Sequence, residues 1–244
     1  MYTGIPGREP SQVTQIRQAL LAQIDQDLGE HGRLPAERVL SEQFATTRIT
    51  LREALLQLEA EGVLYREERR GWFVAPPRLA YNPSARGYFD RMVRSQGRVP
   101  GTRLLQVETQ AATEQIAALL QIRPLDPVYL VRRARSVDGR RVLFVEHYLN
   151  AACFPDFERF GERTLSHSLT ELYRQHYGIE YGRVRFEIMP TALPEMAARV
   201  LKVAPGSPAL QVQRVNADQS GRWIDCDLEY WRQDAVKVCI EAGS

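Results

Sequence analysis

The first apolar period in the chain is helical. Val13, Ile16, Leu20, Ile24 and Leu28 recur every three or four residues after Ser11, a good helix cap, and Gly29 and Gly32 close the run. A second helical stretch, "LPAERVLSEQFA", starts just after Pro35 and turns Val39, Leu40 and Phe44 inward. A short break at Ala45 to Thr47 follows. A third helix is capped by Thr47, buries Leu51, Ala54, Leu55 and Leu58, and runs to Glu61, where Gly62 stops it. "VLYREERRGWFVAP" then alternates as two short strands around a polar turn. Three helices and a hairpin predict a winged helix-turn-helix over residues 1–76. "APPRLAYNPSARG", rich in Pro, Asn, Ser and Gly, predicts a boundary near Pro77 and a linker over 77–87.

The remainder, 88–244, contains an internal repeat. "TEQIAALLQIRPLDPVYLVRRARSVDGRRVLFVEHYL" matches "LPEMAARVLKVAPGSPALQVQRVNADQSGRWIDCDLEYW", with Pro127 against Pro208 and Gly139 against Gly221. Each copy reads as a short helix, a Pro-containing turn, a long strand, a Gly-bearing turn and a returning strand. Between them lies a helix, "SHSLTELYRQHYG", capped by Ser166 or Ser168. The pattern predicts an α+β fold: an antiparallel sheet with helices on one side, and a cleft where the two halves meet.

Composition adds limits. No apolar run approaches the roughly 20 residues that span a bilayer, and the start has no charged-then-apolar leader pattern, so a cytoplasmic protein without membrane contact is expected. The three cysteines have no CxxC spacing and the four histidines form no cluster, so neither a disulfide framework, a metal site nor a cofactor is indicated. Residues 1–77 hold nine arginines against eleven carboxylates. Any nucleic-acid binding here therefore depends on where arginines sit, not on bulk charge.

Position favours the third helix. Arg48 and Arg52 lie one turn apart near its start and can reach guanine edges or phosphates. Thr47 and Thr50 can bond phosphate or contact a thymine methyl. The turn arginines Arg66, Arg69 and Arg70 suit the adjacent backbone or minor groove. In the second part, alternate residues of a strand share a face. Arg133 and Arg135 point one way, as do Glu146 and Tyr148 on the returning strand, and Asp225, Asp227, Glu229 and Trp231 share a face. If these faces line one cleft, the arginines would grip a phosphate or phosphonate, Ser166 and Ser168 would add donors at a helix start, and the carboxylates would hold an ammonium. By the same alternation Arg132 and His147 point away, His167 and His176 are read as solvated, and Tyr173 and Tyr177 as core.

The segment "LPAERVLSEQFATTRITLREALLQLEAEGVLYREERRGWFV" resembles the N-terminal domain of the GntR family of bacterial transcription regulators. That family's pattern is Pro-Ser/Ala-Glu-Arg, then Ser/Thr-Arg-x-Thr-x-Arg-Glu-Ala-Leu, then a Gly-x-Gly-x-Phe-Val wing. The resemblance implies DNA contacts by Arg38, Arg48, Thr50 and Arg52, with Gly71 as wing glycine. Two residues depart from the pattern: Arg69 stands where the first wing glycine usually sits, and Trp72 replaces the usual Thr. "RRARSVDGRRVLFVEHYL", "SLTELYRQHYGI" and "IDCDLEYWRQD" make residues from about 85 to 240 similar to the UTRA effector domain of the HutC subfamily, which has a chorismate-lyase-like fold. By that resemblance Arg133, Arg135, Glu146, Ser168, Asp225 and Trp231 line an effector pocket. "TTRITLREAL", "RRGWFV" and "DLEYWRQD" further resemble regulators of 2-aminoethylphosphonate uptake and breakdown. The expectation is a ligand-responsive repressor, a homodimer on palindromic operator DNA, rather than an enzyme. The open alternatives are a sugar-phosphate effector such as glucosamine-6-phosphate, a hut-type imidazole acid, or a lyase-like activity.

Overall fold

The computed structural model describes residues 10–25, 32–67, 69–83 and 89–241. Leu28, Gly29 and the last part of the expected linker, from residue 84 onward, lie outside the described residues. The chain divides into two compact units, residues 1–78 and 79–244.

In the first unit, α1 (Gln12–Gln23) starts at Ser11, whose hydroxyl accepts from the Thr14 amide. The helices α2 (Glu37–Gln43) and α3 (Arg48–Glu61) follow, then the antiparallel hairpin β1 (Leu64–Glu67) and β2 (Gly71–Val74). Thr47 caps α3 by accepting from the Thr50 amide, and Gly62 ends it in the left-handed conformation at φ 77°. Ile16, Leu20, Leu40, Leu51, Ala54, Leu55, Leu58, Leu64 and Trp72 form one core. Val39 departs from expectation: it is 41% exposed. A two-turn helix buries a single narrow stripe, here Leu40 with half-buried Phe44 one turn on, and Val39 is rotated off it. In the hairpin, Arg69 takes φ 61°, the left-handed conformation that a glycine there would adopt freely. The wing therefore keeps its turn at some backbone cost. Tyr65 and Phe73, opposite each other, stack with ring centres 5.3 Å apart.

The second unit is built on a six-stranded antiparallel sheet in the order β4 (Pro100–Ala111), β5 (Pro127–Val137), β6 (Arg140–Asn150), β9 (Trp223–Arg232), β8 (Pro208–Asp218), β7 (Tyr181–Ala192). The repeat is thus mirrored in the sheet, with the last strand of each copy paired at the centre. The helices α5 (Glu114–Leu120) and α8 (Glu195–Leu201) cover one face, each packing on the other copy's central strand through Cys226 and Leu228, and Phe144, respectively. The opposite face is also covered, by α4 (Phe89–Ser95), the short α6 (Glu162–Leu165) and α7 (Leu169–Tyr177). Helices on both faces correct the one-sided arrangement expected.

Two short strands complete this unit: β3 (Leu79–Tyr81) pairs in parallel with β10 (Val236–Val238). Leu79–Tyr81 lie within the segment expected as linker. Their alternate residues Leu79 and Tyr81 are buried against Trp231 and Val236, which holds them to the second unit. The three cysteines are free thiols. Among the described residues no helix is long and apolar enough to cross a membrane.

Candidate DNA-reading surface and effector cavity

In the first unit the buried stripe of α3 leaves Arg48, Ile49 and Arg52 on its outer face, near the helix start. Arg52 Nη2 donates to Glu37 Oε2 at 2.8 Å. The other oxygen of Glu37 accepts from the Trp72 indole at 3.0 Å. Glu37 thus ties the helix arginine to the hairpin, and Trp72, the departure from the family pattern, supplies the second anchor. Burial alone would raise the Glu37 pKa, but the bonds from Trp72 and Arg52 outweigh it and hold the carboxylate ionised. Arg38 makes an exposed pair with Glu42 on α2. Such pairs stabilise by only ~0–1 kcal/mol, so trading Glu42 for a phosphate costs little. Arg70 pairs with Glu67 and lies 5.2 Å over the Phe73 ring; Arg66 lies 5.8 Å over Trp72. Gly71, at φ 95°, and Arg69 shape the turn between them.

The second unit holds an open-mouthed cavity of about 1100 Å³ between the sheet and α4 and α7. Of the residues expected there, Arg133, Arg135, Ser168, Asp227, Glu229 and Trp231 line it. Three do not. Glu146 lies on the opposite face, paired to Arg132 at 2.8 Å. Ser166 ends α6, whereas Ser168 is the N-cap of α7 and accepts from the Glu171 amide. Asp225 sits behind the lining, bonded by the Tyr181 hydroxyl at 2.6 Å and by the Asn216 amide at 2.6 Å.

The register of β5 on β6 sets the place of Glu146. Ser136 faces Arg141 and Val137 faces Arg140 across the two-residue turn, but from Arg135 inward the pairing slips by one, so Arg133 faces Val145. A bulge of one residue exchanges the two faces of a strand. It turns Glu146 out and His147 in.

His147 is therefore a site residue that strand alternation alone misassigned. Its Nε2 accepts from Arg133 Nε at 3.0 Å and Nη2 at 2.7 Å, and its Nδ1 lies 2.5 Å from Asp227 Oδ1. A ring nitrogen that accepts from a guanidinium carries no proton, so the proton is on Nδ1, donated to Asp227. Burial and the Arg133 charge agree with this, lowering the His147 pKa to about 4. For Asp227 burial works in the raising direction, but His147, Arg214 and Arg133 outweigh it and keep the carboxylate ionised. An acid–histidine pair of this kind supplies two of the three members of a nucleophile-activating triad, yet the nitrogen that would take a proton is already occupied by Arg133.

Arg133 is itself largely spent. It is 1% exposed, and Nη1 donates to the carbonyls of His167 at 2.9 Å and Leu165 at 3.3 Å. Burial, then Arg135, lower its pKa to about 9, leaving it charged at neutral pH. It braces the loop before α7 against the sheet. The cations positioned for a ligand are Arg135, which lies 4.7 Å over the Phe89 ring, and Arg214, which the β8–β9 register places opposite Asp227 on the same face. Arg214 escaped the sequence reading because a lone Arg in an arginine-rich chain carries little signal. Glu229 is raised by burial and then by Asp227, while its Oε2 accepts from the Trp231 indole at 2.7 Å. Tyr173 and Tyr181, pushed up by burial and then by Asp225, remain protonated donors on the wall. Tyr173, expected as core, is both buried and part of the lining.

Comparison with known proteins assigns both units. Residues 12–74 match the family model of bacterial regulatory proteins, gntR family, and residues 95–237 match the UTRA domain. The chain is 33% identical over 210 residues to the HTH-type transcriptional regulator YihL of Escherichia coli, covering 86% of this chain and 88% of that protein. It is 30% identical over 204 residues to the HTH-type transcriptional repressor NagR of Bacillus subtilis, covering 82% of each. The crystal structure of PhnF from Mycobacterium smegmatis superposes with a TM-score of 0.65 at 27% identity, over 94% of this chain and 99% of that one. The chain belongs to the GntR family of transcription regulators, as a ligand-responsive member with a UTRA effector domain.

Proposed function

We propose that this regulator represses genes for phosphonate use and that its effector is a small zwitterion of the 2-aminoethylphosphonate type. The observation that supports this most is the mixed charge of the cavity. Arg135 and Arg214 share one sheet face with Asp227 and Glu229, so an anionic head and an ammonium a short tether away each find a partner. Arg135 grips the phosphonate, the Ser168 end of α7 adds hydroxyl and amide donors, and Asp227 and Glu229 hold the ammonium beside Trp231. Arg133 acts from behind, by fixing the loop. The motif resemblance to 2-aminoethylphosphonate regulators supports the ligand class, and the repressor NagR among the relatives supports repression. A sugar phosphate such as glucosamine-6-phosphate is the second reading, favoured by the cavity's 1100 Å³, which exceeds what the smaller ligand needs.

On the DNA side, Arg48, Thr50 and Arg52 read or clamp the major groove from α3. Thr47 and Arg38 contact phosphate, and Arg69, Arg70 and Gly71 approach the flanking backbone. A homodimer sets two such helices about one DNA turn apart on a palindromic operator. Effector binding shifts the arrangement of the two DNA-binding units across the boundary after Arg78. Thermal-shift measurements with 2-aminoethylphosphonate, glucosamine-6-phosphate and an imidazole acid test the ligand. Stabilisation by the first alone supports the proposal, and stabilisation by only the second replaces it.

A further inference from the structure

The most exposed large apolar side chain of α3 stands among its arginines. Ile49 is 83% exposed, at the second position of the helix, between Arg48 and Thr50 and one turn before Arg52. Its neighbours are anchored: Arg52 is held by Glu37, which Trp72 holds in turn, and the Thr50 hydroxyl lies 2.9 Å from that of Thr47. The other residues of α3 that are apolar and inward, Leu51, Ala54, Leu55 and Leu58, are fully buried. Ile49 is thus a stiff β-branched side chain, presented on a rigid helix start, flanked by two guanidinium groups that suit a polyanion. In the major groove the one apolar group on a base edge is the C5-methyl of thymine.

We infer that Ile49 is a specificity residue that packs on a thymine methyl in each operator half-site, beside the bases reached by Arg48 and Arg52. It rests on α3 being the reading helix, and adds the base that this chain's own residue selects. The polar residues around it set position and affinity; Ile49 contributes discrimination of thymine from cytosine, through contact with a methyl group and the absence of any donor or acceptor of its own.

The test uses the full chain and an operator selected from a random-sequence duplex pool. Each thymine is replaced in turn by deoxyuridine, which deletes only the methyl group. One position per half-site is expected to weaken wild-type binding roughly three- to tenfold, the range for burying one methyl-sized group. Ile49→Ala, which removes the contact in both half-sites, is expected to bind the thymine operator more weakly by about the square of that factor, roughly ten- to a hundredfold, and to lose the thymine-over-deoxyuridine preference at that position alone. Because Ile49 is exposed, its truncation leaves the fold intact, and an unchanged thermal midpoint verifies this. If every deoxyuridine substitution acts equally on wild type and Ile49→Ala, the inference is overturned while DNA binding stands. If no duplex is enriched at all, the DNA-binding reading falls and takes the inference with it.

Discussion

Arg133→Met separates a brace from a ligand grip. In the structure the Arg133 guanidinium supplies donors to His147 Nε2 and to the carbonyls of Leu165 and His167, and its charge faces Asp227 through the imidazole. Methionine keeps much of the stem volume and removes every donor. Two loop carbonyls and a ring nitrogen are then left unpaired, and the buried Asp227 carboxylate loses part of its compensation. Removing one partner from a buried charged network costs about 3–5 kcal/mol. At ~2–4 °C per kcal/mol for a unit of this size, the effector unit is expected to melt about 10 °C lower. Tryptophan fluorescence follows that unit, since two of the three tryptophans, Trp223 and Trp231, lie in it. The alternative is an Arg133 kept ready for an anion. Deleting it would then relieve repulsion with Arg135, and the midpoint without ligand would hold or rise while ligand response vanished. That result would refute the brace.

Arg135→Met is expected to behave the other way: a thermal midpoint within a few degrees of wild type, because its contacts are a 3.5 Å bond to Thr102 and the Phe89 ring, but loss of the stabilisation conferred by 2-aminoethylphosphonate. An intact ligand shift in that variant removes Arg135 from the site. Trp72→Phe deletes the indole bond to Glu37 and is expected to destabilise the DNA-binding unit by about 1 kcal/mol in denaturant titration. A neutral result would mean that the hydrogen bond to Glu37 contributes nothing to the hairpin.

The pH dependence has two opposed parts. His147 is depressed to about 4 from an ordinary 6.5, so its contribution is present above 6.5 and lost as pH falls towards 4. Asp225 is raised to about 7 from 3.8, by burial and then Asp227, so its contribution is full below 3.8 and lost as pH rises through 7. In the wild type the two slopes oppose each other between about pH 4 and 6.5. Asp225→Asn removes one of them, so its stability relative to wild type is expected to climb with pH over that window. A difference that stays flat with pH contradicts the raised Asp225.

Much of the DNA-binding unit was legible in the sequence because its signals are local. Thr47 and Gly62 bracket α3 by cap chemistry that needs no tertiary information, and the four buried residues of its stripe follow from period alone. Even the departure at Arg69 kept the turn, since the hairpin pairing around it imposes φ 61° on whatever residue stands there. Val39 failed because period cannot say how wide a short helix's buried stripe is.

The cavity was legible by half. Alternation correctly put Arg133 with Arg135, and Asp227 with Glu229 and Trp231, because each statement concerns a single strand. Matching the faces of neighbouring strands needs the register. Here one bulged residue, Val142 on β6 opposite the step from Arg135 to Ser136, exchanged Glu146 for His147, and nothing in "SVDGRRV" announces it. The role of Arg133 was hidden for a similar reason: the carbonyls it serves, Leu165 and His167, are more than thirty residues away and carry no side-chain signal.

In the proposed mechanism, occupancy of the cavity governs the grip of α3 on DNA. The direct measurement is the Kd of the full chain for its selected operator, by fluorescence anisotropy at fixed salt, with and without saturating 2-aminoethylphosphonate. A change of roughly 5- to 150-fold is expected, abolished in Arg135→Met. A Kd that does not move while the compound demonstrably stabilises the protein would contradict it.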